Sequence, residues 1–329
     1  MNPISIDLSR SANLIIRRLL AVQASEQVAI ICDPYTEMDM AYALAGVVES
    51  VGGEYTIMMM PTRDTQHKND LTRIIESGLE RADCMIGLTG ASGAPTYSAA
   101  VKALYDAKKL RTISMVMRNA ENFTSGGALA DYETLFREGN QLAAQWRTAH
   151  EIHITSSAGT DLHAKIDSEE VIVECGFATQ PGQEAAFSDG EVSQMPTENT
   201  ARGRIVVDGP IAHLGQLLDP ITLTVEHGQV VSIEGKTRQA DELRNIIENV
   251  KNAHNIAEIG IGLNPMCRRN GDFEEEKKGR GNVHIALGDN IFYGGTIQSP
   301  VHMDMVIYHP TVHLDEYVIV DQGAVLLFD

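Results

Sequence analysis

Two apolar spacings alternate along the first 150 residues. Ser9–Val22 (SRSANLIIRRLLAV), Tyr35–Val51, His67–Arg81, Thr96–Lys108 and Asp131–His150 set their apolar residues three and four apart, the period of an amphipathic helix. Between them, Gln27–Cys32 (QVAIIC), Glu54–Met58, Asp83–Leu88 and Arg111–Val116 are short apolar runs of the kind that form strands. Apolar strands separated by helices predict a doubly wound parallel sheet with helices on both faces.

The pattern changes after about His150, where strands begin to follow one another. Glu151–Thr155, Val171–Glu174 and Arg204–Val207 read as strands. Leu223–Ile233 (LTVEHGQVVSI) reads as a hairpin turning at His227–Gly228. Gln239–Val250 is the one clear helix, and Glu258–Leu263, Val283–Leu287, His302–Tyr308 and Tyr317–Val320 return to strand patterns. The expected architecture is therefore α/β, with an N-terminal doubly wound domain over residues 1–149 and a second, β-rich metal-binding domain over 150–329. The join near Thr148–Ile152 carries no Pro/Gly linker, so the two domains are expected to pack firmly.

Composition narrows the function. A chain of 329 residues holds one large or two medium domains, and its net charge of −19 argues against nucleic acid and anionic membranes as partners. No run approaches 18 apolar residues, and the start shows no basic stretch followed by an apolar block. Cys32, Cys84, Cys175 and Cys267 are widely spaced, with no C-x-x-C pair, so neither a disulfide framework nor a zinc knuckle is expected. A reduced, cytoplasmic protein is the expectation.

The candidate chemistry lies in the last 140 residues. His302 and Asp304 are two apart in a strand-like run, so they share a face and can bind one cation together, or simply hydrogen-bond to each other. His284 stands in the apolar run Val283–Leu287, where a hydrogen-bonded core histidine would look the same. Glu258 sits between Ala257 and Ile259, and a buried carboxylate must be paired, protonated or metal-bound. Glu191 follows Gly190 in the loop-like SDGEVSQMPTE and alone reads as an exposed acid. Two imidazoles and three carboxylates form the donor set of a one- or two-metal hydrolytic site.

Three further segments read more plainly. Asp161 and His163 form a second His/Asp pair after a Gly turn, with Asp161 as a turn cap the simpler reading. Asp272–Lys278 (DFEEEKK) reads as a solvated loop whose glutamates are not ligands. Gly87–Pro95 (GLTGASGAP) follows a strand, yet it carries no dinucleotide fingerprint or P-loop lysine and reads as a tight turn.

At the C-terminal segments the chain resembles the metallo-aminopeptidases of the aminopeptidase T and S family. The matching pieces are GEV (Gly190–Val192) with Pro196, GRIVVDG (Gly203–Gly209), AEIGIG (Ala257–Gly262), NVHIALG (Asn282–Gly288) and SPVHMDM (Ser299–Met305). The resemblance implies two divalent ions, zinc, manganese or cobalt, held by Glu191, Glu258, His284, His302 and Asp304. Glu191 would be a ligand or the general base. That family's tyrosine, seven residues after the His of HIALG, is Ile291 here; Tyr293 is the candidate for its role.

The same superfamily contains 2,5-dihydroxypyridine 5,6-dioxygenases, which use one Fe(II) with two histidines and one aspartate. Ser157–Ala164 (SAGTDLHA) and Glu174–Gly182 (ECGFATQPG) resemble that branch. Its first histidine falls at Glu258 of this chain, and it has none at His284. The favoured expectation is metal-assisted hydrolysis of an amide or peptide-like bond in a small molecule or short peptide, by a homodimer. The alternative is an Fe(II) ring-cleaving dioxygenase using His284, His302 and Asp304. A binding or scaffold protein without metal is the third possibility.

Overall fold

In the computed structural model, which describes residues 3–63, 69–117, 120–166 and 171–327, the strands in chain order are β1 (Gln27–Cys32), β2 (Glu54–Met59), β3 (Cys84–Thr89), β4 (Arg111–Val116), β5 (Glu151–Ser156), β6 (Asp161–Lys165), β7 (Ile172–Glu174), β8 (Glu184–Ala186), β9 (Glu191–Gln194), β10 (Arg202–Val207), β11 (Ile221–Glu226), β12 (Gln229–Glu234), β13 (Ile256–Gly262), β14 (Val283–Gly288), β15 (His302–Ile307), β16 (Pro310–Leu314), β17 (Tyr317–Asp321) and β18 (Ala324–Val325). The helices are α1 (Pro3–Leu14), α2 (Met38–Ser50), α3 (Arg73–Leu79), α4 (Ala99–Asp106), α5 (Glu121–Thr124), α6 (Tyr132–Trp146), α7 (Arg238–Asn249) and α8 (Phe273–Glu276). His67 and Lys68, at the start of an expected helix, lie outside the described residues.

The chain forms two compact units, Met1–Ala130 with Cys175–Asp189, and Asp131–Glu174 with Gly190–Asp329. In the first, β2-β1-β3-β4-β8 make a five-stranded parallel sheet, as the alternating spacings lead one to expect. Strands β1 and β3 are buried almost throughout, which explains why they read as continuous apolar runs. Helices α2, α3 and α4 connect the strands, and Thr72 and Ser98 cap α3 and α4 through their hydroxyls. Strand β8 was not visible in the sequence, being three residues long.

The Gly87–Pro95 loop is the tight turn expected. Asp33, just after β1, accepts the backbone N–H groups of Gly90, Ala91 and Ser92 at 3.1, 2.9 and 2.7 Å. A Cβ on Gly90 would lie 2.3 Å from the Tyr35 carbonyl oxygen, so glycine is required there. These amides, which could have cradled a phosphate, hold the chain's own carboxylate.

The units part at Ala130/Asp131, upstream of the join expected at 149/150, because α6 goes with the second unit. Asp131 caps it, and its buried Leu135, Leu142 and Trp146 form a face against β7 and β9. An eight-stranded sheet runs β12-β11-β10-β6-β5-β16-β17-β18, and a five-stranded antiparallel sheet runs β15-β14-β13-β9-β7. The β11–β12 hairpin turns at His227 and Gly228, both at positive φ, as its sequence suggested. Among the described residues no helix is long and apolar enough to cross a membrane. Cys32, Cys84 and Cys175 are buried, and all four cysteines are free thiols.

Candidate metal centre

The five-stranded sheet brings the candidate acids and imidazoles together by register. Antiparallel partners share a face. The pairs Glu258↔Ala286, Gly260↔His284, Gly262↔Glu191, Ala286↔Asp304, Gly288↔His302 and Glu174↔Glu191 therefore set Glu174, Glu191, Glu258, His284, His302 and Asp304 on one face. Between them stand only small residues, Gly260, Gly262, Ala286 and Gly288. At Gly260 a Cβ would sit 2.2 Å from both Cε1 and Nε2 of His284, so the imidazole lies directly over it. The small residues of AEIGIG and HIALG thus make room for the larger groups.

Glu258 is the hinge of the arrangement. Its Oε1 is 3.1 Å from His284 Nε2, and its Oε2 is 2.9 Å from His302 Nε2. Glu191 Oε2 lies 3.5 Å from His284 Nε2, and Asp304 Oδ1 lies 3.7 Å from His302 Nε2. Two donor groups result, Glu191–Glu258–His284 and Glu258–His302–Asp304, each with donor atoms within 4.8 Å of one another. Glu258 belongs to both, and neither contains both imidazoles. His302 Nδ1 faces the Asp289 carbonyl oxygen at 2.8 Å, and donation there leaves Nε2 aimed at Glu258. A backbone carbonyl holding the far nitrogen is how ligating histidines are oriented.

Glu174, Lys277 and Lys278, which sequence reasoning missed, complete the centre. Lys277 Nζ is 3.2 Å from Asp304 Oδ2, and Lys278 Nζ is 2.9 Å from Glu191 Oε1 and 3.7 Å from Glu174 Oε2. The expected solvated loop at Asp272–Lys278 is therefore corrected: it leads from α8 into the centre. Glu275 and Glu276 are buried in it, Glu275 paired with Arg268 and Glu276 bonded to Tyr308. The loop-like reading of Glu191 is corrected too, because it opens β9 and is fully buried. Sequence reading missed Lys277 and Lys278 because a run of mixed charge usually faces water; their position between two ligand-bearing strands was the available signal.

Tyr293 is buried, and its ring stacks on His302 with centroids 6.0 Å apart, whereas Ile291 and Phe292 are exposed. The aromatic that reaches the centre is thus Tyr293, two positions beyond the family's tyrosine.

The electrostatics are those of a tightly paired cluster. Burial raises the pKa of Glu191, but Lys277, Lys278 and His284 outweigh it and bring it down to about 2. Burial acts likewise on Glu258, where hydrogen bonds with His284 and His302 hold it well below the ordinary carboxylate range. Burial lowers His302, yet the Asp304 and Glu258 carboxylates lift it to about 10. His284 is also raised, the attraction of Glu191 and Glu258 overcoming its burial.

Without metal, protons on the imidazoles balance the acids. A ligating imidazole must be neutral. Glu174, Glu191, Glu258 and Asp304 then exceed Lys277 and Lys278 by two negative charges. Asp304 Oδ1 and Glu191 Oε2 are buried and accept no hydrogen bond of ordinary geometry, while Glu191 Oε1 faces the Lys278 ammonium at 2.9 Å. Buried carboxylate oxygens of this kind, beside imidazole nitrogens, fit divalent cations.

A profile of the 2,5-dihydroxypyridine 5,6-dioxygenase family matches residues 16–327, and the chain belongs to that family. It is 28% identical over 199 residues to the 2,5-dihydroxypyridine 5,6-dioxygenase of Pseudomonas putida, a match spanning 55% of each protein and thus little more than half of that relative's length. Over 105 residues, 31% of this chain and 25% of the other, it is 27% identical to aminopeptidase AmpS of Bacillus subtilis. The fold is shared with the solved 2,5-dihydroxypyridine dioxygenase of Pseudomonas putida (TM-score 0.82, 20% identity, 99% of this chain and 98% of that one). It is shared as well with AmpT of Thermus thermophilus (TM-score 0.72, 16% identity, 98% and 100%). The expected two-domain fold and the superfamily common to both branches are thereby established. Of the two expected activities, the dioxygenase is the better supported by these relatives.

Proposed function

We propose that the protein is a metal-dependent enzyme whose Glu191, Glu258, His284, His302 and Asp304 hold two divalent cations, and that it hydrolyses an amide-type bond. The observation that carries this reading is Glu258, whose two oxygens face different imidazoles at 3.1 and 2.9 Å. Cations held there would polarise a substrate carbonyl and bring the pKa of a coordinated water toward neutrality.

The remaining roles follow from the chain's own groups. Glu191 is buried and held at about 2, too weak a base to take a proton near neutral pH, which supports a ligand role over general base. Lys277 and Lys278 position Asp304 and Glu191. His302, with 29% of its side chain exposed, marks the side from which substrate arrives. Tyr293 beside it keeps its proton, because burial and the surrounding carboxylates raise its pKa well above the usual phenol value. Its phenol can donate a hydrogen bond to an oxygen gaining negative charge. The expected homodimer remains part of the proposal.

Family membership favours a second reading, ring cleavage by one Fe(II). Against it stands the donor set. A mononuclear Fe(II) site of this type takes two imidazoles and one carboxylate, and His284 and His302 fall in separate groups with Glu258 between them. Metal analysis of protein purified without chelator, with oxygen-uptake and amide-hydrolysis assays, separates the two. Two zinc, manganese or cobalt ions per chain with oxygen-independent hydrolysis supports the proposal. One iron with oxygen consumption on a dihydroxypyridine overturns it in favour of ring cleavage. Absence of any bound or activating metal overturns both.

A further inference from the structure

We propose a second cation site on the β5–β6 hairpin, where His153, His163 and Asp161 bind a transition-metal ion of the zinc or nickel type. It belongs to the eight-stranded sheet and shares no residue with the centre on the five-stranded one. Register builds it: His153 pairs with His163 across β5 and β6, and with His313 across β5 and β16, so three imidazoles stand in one row over three strands. The His153 and His163 rings stack with centroids 3.8 Å apart and 10° between planes. Stacking aligns their edges, and both Nε2 atoms converge on one carboxylate oxygen: Asp161 Oδ1 is 2.8 Å from His153 Nε2 and 3.5 Å from His163 Nε2.

The three residues can each offer a donor atom within 4.8 Å of the other two. A cation between them would take the place of the His153–Asp161 hydrogen bond. His313 packs on the other side of His153, with ring centroids 5.8 Å apart, and so limits its rotation. Its Nδ1 is buried and has no hydrogen-bond partner, an unspent imidazole nitrogen next to the pair. Arg204, opposite Asp161 in register, donates its Nε to the Gly159 carbonyl at 2.8 Å, and its charge also acts on the Asp161 carboxylate.

The chemistry of the donors selects the ion. Two imidazole nitrogens and one carboxylate suit zinc, nickel, cobalt or copper, whereas magnesium and calcium favour all-oxygen shells. His153, His163 and Asp161 are 34%, 45% and 61% exposed, so water can fill the remaining coordination positions. A simple turn cap at Asp161 accounts for neither the two converging imidazoles nor their stacking.

Calorimetric titration of the full chain with zinc chloride tests the site. Three proteins are compared: wild type, the double variant His153→Ala/His163→Ala, and His302→Ala/Asp304→Asn in the five-stranded sheet. The expected result is one zinc equivalent lost from the first variant and kept by the second. Asp161→Asn, which preserves shape, should weaken that equivalent by at least about tenfold. Equal melting temperatures without zinc establish that the hairpin variants fold. Wild-type stoichiometry and affinity in the folded hairpin double variant would overturn the proposal, as would a wild type that binds no zinc beyond the equivalents lost in His302→Ala/Asp304→Asn. Because the two variants probe different sheets, failure here leaves the hydrolytic reading intact, and the reverse holds as well.

Discussion

Replacing Gly260 by alanine tests whether the centre depends on the close packing of His284 over β13. The backbone at Gly260 is not in the positive-φ region, so alanine suits its conformation and the effect is steric. The added Cβ would lie 2.2 Å from two atoms of the imidazole, where ordinary contact begins at 3.4 Å. The ring must therefore retreat by roughly 1 Å in a packed interior. It is fully buried and flanked by Glu258 and Glu191, so the added methyl should cost about 1–3 kcal/mol. Metal–ligand distances tolerate only about 0.2 Å, so ion binding at His284 should fail. Urea unfolding and metal analysis are run on wild type, Gly260→Ala, His284→Ala and the double variant. If the methyl acts through the ring, its stability penalty falls below about 1 kcal/mol once His284 is alanine, and it removes no further metal. An equal penalty in both backgrounds, or full metal in Gly260→Ala, would refute the reasoning.

Further expectations follow from the same contacts. Glu258→Gln keeps the shape but removes the charge facing both imidazoles, and metal affinity should drop at least about 100-fold by competition with a chelating dye; unchanged affinity denies Glu258 its joining role. Lys278→Met leaves Glu191 and Glu174 facing each other without their shared ammonium and should destabilise the fold by about 3–5 kcal/mol, read from the urea midpoint. Asp33→Asn cannot accept all the loop amides and should cost about 2 kcal/mol. Burial raises the Asp33 pKa, but the amides of Ser92, Ala91 and Gly90 outweigh it and hold it below the usual value. Its contribution is therefore complete above the unfolded carboxylate value of about 3.9 and is lost as pH falls through the folded one. The gap between wild type and Asp33→Asn should narrow in acid, and a gap constant down to pH ~2 would contradict that.

The sequence disclosed what periodicity and burial impose. Strands β1, β3, β13 and β14 are buried on both faces, so their continuous apolar runs located them, and the charged residues in β13 and β14 stood out against that background. Short strands such as β8 and β9 carry too few residues to show a period, so Glu191 passed for a surface acid. Register was equally hidden. Nothing in the order of residues reveals that Glu258 lies between His284 and His302, because that depends on which strands pair and on the shift in β13 between Ile256 and Glu258. Lys277 and Lys278 were obscured by their own neighbours, since a run of like-charged glutamates describes an exposed surface better than an interior.

The donors at the shared carboxylate come from β9, β13, β14 and β15, so the first and last of them stand at positions 191 and 304. A chain emerging from the ribosome cannot enclose an ion there until β15 has been made. Any earlier capture could involve only the upstream group of Glu191, Glu258 and His284. Uptake of that ion thus becomes a readout of finished folding, and a truncation before β15 should yield polypeptide without the Glu258–His302–Asp304 group, whatever the amount of added metal.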